Sequence, residues 1–471
     1  VRGGVPAPSD PRYCKGCLEK QQTIDRLVEE VKRLKDKLRR QERTALEEPF
    51  GASTPSSKRL VKPSSTPENR ARRGGAKPGH DGHGREAACE EGADIVEELP
   101  APAVCPDCGC ALEHWGERER TVHDCEPVRR KTRLVRIGEG RCPQCGKTHR
   151  SRLPGVLPRS AFSNRLVAQA SAWHYLHGLT MGHIARQLDV PEGTLFGRMH
   201  ALAAICRPAV DALVEQYRAA PVKHADETVW REDGANGYAW GFFTHDTSVF
   251  RLRGTRSGEV AREVLGAGRS GEETLLVDRY GGYNRFGGDI QYCYAQLKRD
   301  TEDIVKENPQ SAECKRFADA FVPLLCKAMR LRKEPISDAE YTIAAAALEQ
   351  QIRACAAGPA RHPAVQHIQN IFREQEHRLF HWARDRAIPA ENNLAERELR
   401  SLVIARKISF GSQSKTGLET RETLMSVLHT LAKRCENALD AFVAMLDSLV
   451  ENPELDVAAH LFGRAPDAAP S

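Results

Sequence analysis

The feature that most constrains this chain is an ordered run of short apolar segments between residues 222 and 294, broken once by a helical period. Val222-Lys223-His224-Ala225-Asp226-Glu227-Thr228-Val229-Trp230 reads as a strand with an acid in it. Tyr238 to Thr244 and Ser248 to Arg253 read as two more strands, joined by the turn His245-Asp246-Thr247. Three such runs in succession predict an antiparallel meander. Gly258 to Leu265 then reads as a crossover helix. Thr274-Leu275-Leu276-Val277-Asp278 is a fourth strand with an acid at its carboxyl end, where ligand chemistry in α/β sheets concentrates, and Ile290 to Tyr294 is a fifth. Beyond Lys298 the pattern is helical as far as Pro389, including the alanine-rich stretch Ala339 to Ala356.

The order βββαβαβα with a late helical insertion is that of a ribonuclease-H-like α/β core. At 471 residues the chain is too long for one ordinary core, so other modules must precede it. The expected fold class is multi-domain α+β: this core with its insertion, preceded by a coiled coil, a zinc-binding module and a helix-turn-helix segment.

The cysteines argue for metal rather than disulfides. There are 15, no secretory apolar segment precedes them, and several stand as Cys-x-x-Cys, which suits a reducing cytosol. Cys105-Pro106-Asp107-Cys108-Gly109 and Cys142-Pro143-Gln144-Cys145-Gly146 match each other. In each the glycine permits the tight turn that aims two thiolates at one tetrahedral ion, so Cys105, Cys108, Cys142 and Cys145 are read as ligands of one structural Zn²⁺. Thr132 to Ile137, between the knuckles, has β-like content. Cys110, His123, Cys125 and His149 lie near enough in sequence to replace one ligand. Cys14 and Cys17 form an isolated pair, either reduced thiols or half of another site.

From Leu18 a helix begins in which Ile24, Leu27, Val31, Leu34 and Leu38 repeat at spacings of three and four. That is a short coiled-coil seam for self-association, or a helix packed on its own protein. The stretch from Glu47 to about Arg85 is rich in Ser, Pro and Gly and, after Glu47 and Glu48 at its start, carries eight Lys or Arg residues against Glu68 and Asp81. It reads as a basic linker, free to engage phosphates or simply solvated. Leu179 to Leu188, a break at Asp189 to Gly193, and Thr194 to Met199 have helix-turn-helix grammar, which an ordinary αα-hairpin shares. Arg186, Arg198 and His200 would face DNA there, and a further helix, about Ala201 to Tyr217, follows. The layout is 1–46 Cys-x-x-Cys and coiled coil, 47–88 linker, 89–157 zinc module, 158–220 helix-turn-helix segment, 221–452 catalytic domain with its insertion at about 301–390, and 453–471 flexible tail. The net charge of +6 is a modest pointer to nucleic acid. No apolar run approaches the roughly 20 residues needed to span a bilayer, so no membrane partner is expected.

Ala390 to Arg400 reads as a helix starting after Pro389, with Asn392 or Asn393 as N-cap. Arg397, Arg400, Arg406 and Lys407 follow in a pattern that can track a phosphate backbone, though mixed Glu/Arg helices are often only solvated faces. In a ribonuclease-H-like fold Asp226 and Asp278 lie on neighbouring central strands, and a helix across the sheet can add Glu396. Three converging carboxylates repel one another unless divalent cations neutralise them, which implies Mg²⁺ or Mn²⁺ and phosphodiester chemistry. Without metal, Glu396 is expected to lean on Arg397 or Arg400.

Four blocks in order carry a resemblance: Ala225-Asp226-Glu227-Thr228; Val277-Asp278-Arg279-Tyr280-Gly281-Gly282-Tyr283; Asn392-Asn393-Leu394-Ala395-Glu396-Arg397; and Arg406-Lys407-Ile408-Ser409-Phe410-Gly411 with Ser412 and Gly417. With the linker motif Gly75 to His80, they resemble the transposases of bacterial insertion sequence sixty-six over nearly the whole chain. The resemblance implies DDE (Asp-Asp-Glu) chemistry with Asp226, Asp278 and Glu396 as the metal-binding triad, and it selects Glu396 over Glu391 and Glu398. It implies a bacterial, cytoplasmic, nucleoid-associated enzyme that cuts element ends and joins them to target DNA, as a homo-oligomer and with helper proteins of the same element as further partners. Two positions depart from the pattern: Glu391 replaces an expected Asp, and Gln296 follows Cys293-Tyr294-Ala295 where the family usually has His. The rival readings are a metal-dependent nuclease that cuts without joining and an inactive DNA-binding relic or repressor.

Overall fold

The structure, a computed structural model, describes residues 128–463 together with positions 23, 26, 27, 30, 31, 34, 96 and 109–111. It divides into two units, residues 1–124 and 125–471. In the first, the described positions between 23 and 34 are helical, and Leu27, Val31 and Leu34 expose half or more of their surface. Cys14, Cys17, Ile24, Leu38, the linker 47–88, Cys105 and Cys108 lie outside the described residues.

The second unit opens with the hairpin β1 (Glu139–Arg141) and β2 (Thr148–Arg150), paired antiparallel with Gly140 opposite His149. The second cysteine knuckle forms its turn. Thr132 to Ile137 is exposed and belongs to no strand, contrary to its composition. Those residues have no partner sheet among the described residues on which to bury Leu134 or Ile137, and β propensity alone does not hold a strand.

Helix α1 (Asn164–Tyr175) starts at Ser163, whose hydroxyl accepts from Leu166 N, and α2 (Met181–Leu188) starts at Thr180 in the same way. Asp189 turns the chain in the left-handed region, and α3 (Glu192–Ala219) follows. The expected short second helix and the helix after it are therefore one continuous helix with Pro208 inside it. Leu195, Met199, Leu202, Cys206, Ala209, Leu213 and Tyr217 form an unbroken buried stripe along it, and that burial outweighs one lost backbone bond at the proline.

That stripe also removes the expected boundary at residue 220. The Tyr217 ring lies 5.8 Å from the Phe242 ring in the sheet, and the helical segment shares one hydrophobic core with it.

The sheet contains β3 (Val222–Glu232), β4 (Ala235–Phe243), β5 (Ser248–Arg253), β6 (Thr274–Val277) and β7 (Asp289–Tyr292), in the order β5-β4-β3-β6-β7. The first three form the meander, while β6 and β7 run parallel to β3 after the crossover helix α4 (Gly258–Leu265). The insertion is helical: α5 (Tyr294–Glu307), α6 (Ala312–Leu331), α7 (Asp338–Ala357), α8 (Pro363–Gln375) and α9 (His381–Arg384). The chain returns as α10 (Asn393–Ser409), then α11 (Lys415–Arg434), α12 (Ala438–Glu451) and α13 (Val457–Phe462). The expected flexible tail thus begins with an ordered helix: Val457 and Phe462 are buried, and Gln216 Nε2 donates to Phe462 O at 2.9 Å.

The outer edge of β5 is met by α11 side chains. Ser248 N donates to Thr430 Oγ1 (3.0 Å), Phe250 N to Ser426 Oγ (3.0 Å) and Leu252 N to Glu422 Oε1 (2.5 Å). Four residues of helix rise about 6.0 Å and two of strand about 6.8 Å, so acceptors four apart on α11 match donors two apart on β5.

Candidate active site

Strand β3 places the first acid by register. It pairs with β6 through Val222 and Thr274, Lys223 and Leu275, and His224 and Leu276. The same offset continued by two residues sets Asp226 across from Asp278, one step beyond the last residue of β6. Both carboxylates therefore stand where β6 stops and β3 runs on. Each spends one oxygen locally: Asp226 Oδ1 accepts from Glu227 N and Asp278 Oδ1 from Tyr280 N, both at 2.8 Å.

Helix α10 carries Glu396 in its first turn. Asn392 is the N-cap residue, but its side chain does not cap the helix as its type predicts. It is buried against β3 instead, where Nδ2 donates to Ala225 O (2.9 Å) and Oδ1 lies 2.8 Å from His224 Nδ1. Because Nδ2 is the donor to the carbonyl, Oδ1 must accept, and His224 carries its proton on Nδ1. Burial lowers the His224 pKa to about 4, so the ring is neutral. Cys293 Sγ accepts from Asn392 N at 3.1 Å. The first turn of α10 is thereby pinned to the residue before Asp226. The charge of Glu396 adds to the rise of the Asp226 pKa. The ion-pair partner of Glu396 is Arg299 of α5 at 4.0 Å, not Arg397 or Arg400, which are exposed.

Asp226 has the most perturbed carboxyl of the group. The Asp226 carboxyl is pushed up to about 7, first by burial, then by the charge of Glu227, with Asp278 and Glu396 adding to it. Glu227 was not singled out in the sequence. It faces the other side of β3, where Arg256 Nε (2.9 Å) and Tyr283 OH (2.6 Å) donate to it, and burial still raises its pKa. The Arg256 guanidinium in turn lies 3.9 Å above the Tyr280 ring. Neighbouring residues of a strand point to opposite faces, so Asp226 and Glu227 have different partners.

The other expected residues fall in different places. Arg397, Arg400 and Lys407 are exposed along α10 and form no ion pair among the described residues, whereas Arg406 reaches back so that Nη1 donates to Val229 O at 2.6 Å. Arg186 is exposed on α2 and Arg198 half-buried on α3, while His200 Nδ1 is engaged with Thr420 Oγ1 at 2.6 Å. Glu391 is buried, and its Oε2 has no hydrogen-bond partner among the described residues. Gln296 sits half-buried in the first turn of α5, three residues before Arg299.

At the knuckle, Cys145 N lies 3.5 Å from Cys142 Sγ, Gly146 takes φ 68°, and backbone N–H groups of Cys145 and Gln144 help hold the Cys142 thiol below its usual pKa. Among the described residues no three His, Cys, Asp or Glu side chains are arranged to hold a metal ion. The acid cluster nevertheless offers the right chemistry: oxygen donors only, and a surplus of negative charge at Asp226.

The sequence profile described as Transposase IS66 family matches residues 159–420, more than half of the chain, and the chain belongs to that family. This makes it a DNA-processing enzyme with a transposase role. No curated protein matches it. Among the described residues no helix is long and apolar enough to cross a membrane.

Proposed function

We propose that the chain is a DDE-type transposase with a ribonuclease-H-like core, in which Asp226, Asp278 and Glu396 mark the place where an element end is cut and joined to target DNA. One observation supports this reading: the β3–β6 register, continued by two residues, brings Asp226 level with Asp278, and the Asp226 pKa is raised by burial first, with Glu227, Asp278 and Glu396 adding to it. The strand order β5-β4-β3-β6-β7 and the late helical insertion support the fold assignment.

Asp226, Asp278 and Glu396 would hold Mg²⁺ or Mn²⁺, which when bound offsets phosphate charge and makes a water or 3′-hydroxyl a better nucleophile. Asp226 must shed its proton before it serves as a ligand. Asn392 and His224 fix the first turn of α10, and with it the approach of Glu396. Arg397, Arg400, Arg406 and Lys407, with Arg186 and Arg198, hold the DNA backbone and not the bases, so affinity falls steeply with salt. Cys142 and Cys145 would be ligands of a structural Zn²⁺. The helix containing Leu27, Val31 and Leu34 mediates self-association.

The test is incubation with a candidate element end, Mg²⁺ and supercoiled target DNA, scored for joined product. Joined product that is lost in Asp278→Asn supports the reading. Cleavage without joining would make the chain a nuclease, and DNA binding with neither reaction would make it a binding relic.

A further inference from the structure

Helix α10 ends on a residue that stability does not favour. Phe410 occupies its C-cap in the left-handed region, φ 59° and ψ 2°. Glycine or asparagine is the usual choice there, because a Cβ is crowded in that conformation. A bulky aromatic that bears such strain ordinarily recovers it through burial, yet Phe410 is 79% exposed.

The backbone around it is fixed. Phe410 N donates to Arg406 O (2.8 Å), Ser412 N to Arg231 O (2.9 Å) and Asp233 N to Ser412 O (2.8 Å). Gly411 is pressed so closely on β3 that a Cβ there would fall 2.3 Å from Arg231 O. Residues 410–412 are thus clipped to the far end of β3, on the edge that β6 leaves open, and the ring is held out into solvent. Lys407 is exposed three residues before it on α10, exposed Arg231 supplies the carbonyl that holds Ser412, Glu232 and Asp233 lie at the hairpin turn, and Arg397 and Arg400 are exposed farther along the helix. An exposed flat ring among cations suits a nucleobase, whose face stacks and whose phosphates the cations attract.

We propose that Phe410 is a base-stacking platform for DNA held along α10. Its position relative to the chemistry rests on the reading of the acids given above. From Asp226 to Arg231 is five steps of β3, about 16 Å at 3.3 Å per residue, or about five nucleotides of one strand. The base that stacks on Phe410 therefore lies about five nucleotides from the phosphodiester at the acids, and it must be unpaired or at a frayed step to present its face.

The test uses the full chain and forked DNA with 2-aminopurine placed singly at successive positions of one arm. Wild-type protein should quench the probe at one or two adjacent positions. Phe410→Ala should abolish that quench and weaken binding of the fork about 10-fold, and Phe410→Trp should retain both. Phe410→Gly relieves the strained backbone, so it should melt no lower than wild type while losing the quench. This variant separates stacking from folding. An unchanged quench profile and affinity in Phe410→Ala would overturn the proposal, as would a loss of self-association with DNA binding intact, which would make the ring a protein contact. If Asp278→Asn still cut and joined DNA while the Phe410-dependent quench persisted, the reading of the acids would fail and the stacking site would stand.

Discussion

Strand β3 carries two charged positions three residues apart, Lys223 and Asp226, and they are built on opposite principles. At its start Lys223, fully buried, pairs with Glu273, and Arg269 Nε adds a second donor to that carboxylate at 3.1 Å. Three residues on, Asp226 feels burial first and then the negative charges of Glu227, Asp278 and Glu396, all acting in the same direction. Charge balance at Lys223 leaves nothing for a ligand to supply. Around Asp226, Arg256 answers Glu227 and Arg299 stands 4.0 Å from Glu396, but among the described residues Asp226 and Asp278 form no ion pair. A buried charge is therefore informative about function only when its partners are counted.

The sharpest way to break the comparison is at the balanced position. Lys223→Met should cost about 3–5 kcal/mol in a denaturant titration, because Glu273 is left buried beside only Arg269, and adding Glu273→Leu should recover much of it. If the single change proved silent, the pair would be no more structural than the acids.

Among the acids Asp278→Asn should lower Mg²⁺-dependent cleavage by about 10²–10³-fold or more, with DNA affinity unchanged and the melting temperature in chelator unchanged or raised. A fall in stability would show that the acids support the fold. Next in size is Asn392→Ala, which strands His224 Nδ1 and Ala225 O and should cost about 2 kcal/mol. It should also slow cleavage, since Glu396 loses its anchor, and a stability loss with normal cleavage would uncouple the helix start from the site.

The smallest effect is a pH dependence. The Asp226 pKa is raised from the ordinary carboxylate range to about 7, so the folded state holds a proton that the unfolded state has released. Asp226 thus withdraws stability as pH rises from about 4 to about 7. Buried neutral His174, His224 and His429, each lowered to about 4, add stability over pH 4 to 6.5 and mask the trend. The difference between wild type and Asp226→Asn isolates it, and should amount to about 1 kcal/mol after solvent screening, shrinking when Mg²⁺ is added. A flat difference would mean that Asp226 is ionised throughout.

Much of the sheet was legible because its segments are short and its punctuation strong. The strand Ser248–Arg253 and the helix Gly258–Leu265 fall where the sequence placed them. The position of Asp278 followed from an acid closing an apolar run. The length of α3 was not legible, because a helix-turn-helix reading ends the second helix after one or two turns while the buried stripe runs on to Tyr217. The link from His224 through Asn392 to Ala225 was beyond sequence reasoning: 168 positions separate the first two, and an asparagine before a helix looks like a cap whichever way its side chain turns. Glu227 escaped notice because its partners come from two separate segments, Arg256 from the loop after β5 and Tyr283 from a short 3-10 turn after β6.

The row of α11 acceptors along β5 has a consequence for the life of the protein in solution. An open sheet edge recruits strands from other chains and seeds aggregates, a hazard proteins usually manage with charge, proline or a bulge. Here Glu422, Ser426 and Thr430 fill the outward-facing amides one by one, so α11 serves as a stand-in neighbour that cannot itself propagate a sheet. The protection is only as durable as the seating of that helix. Conditions that lift α11 from the sheet would turn β5 from a sealed margin into a template for self-assembly.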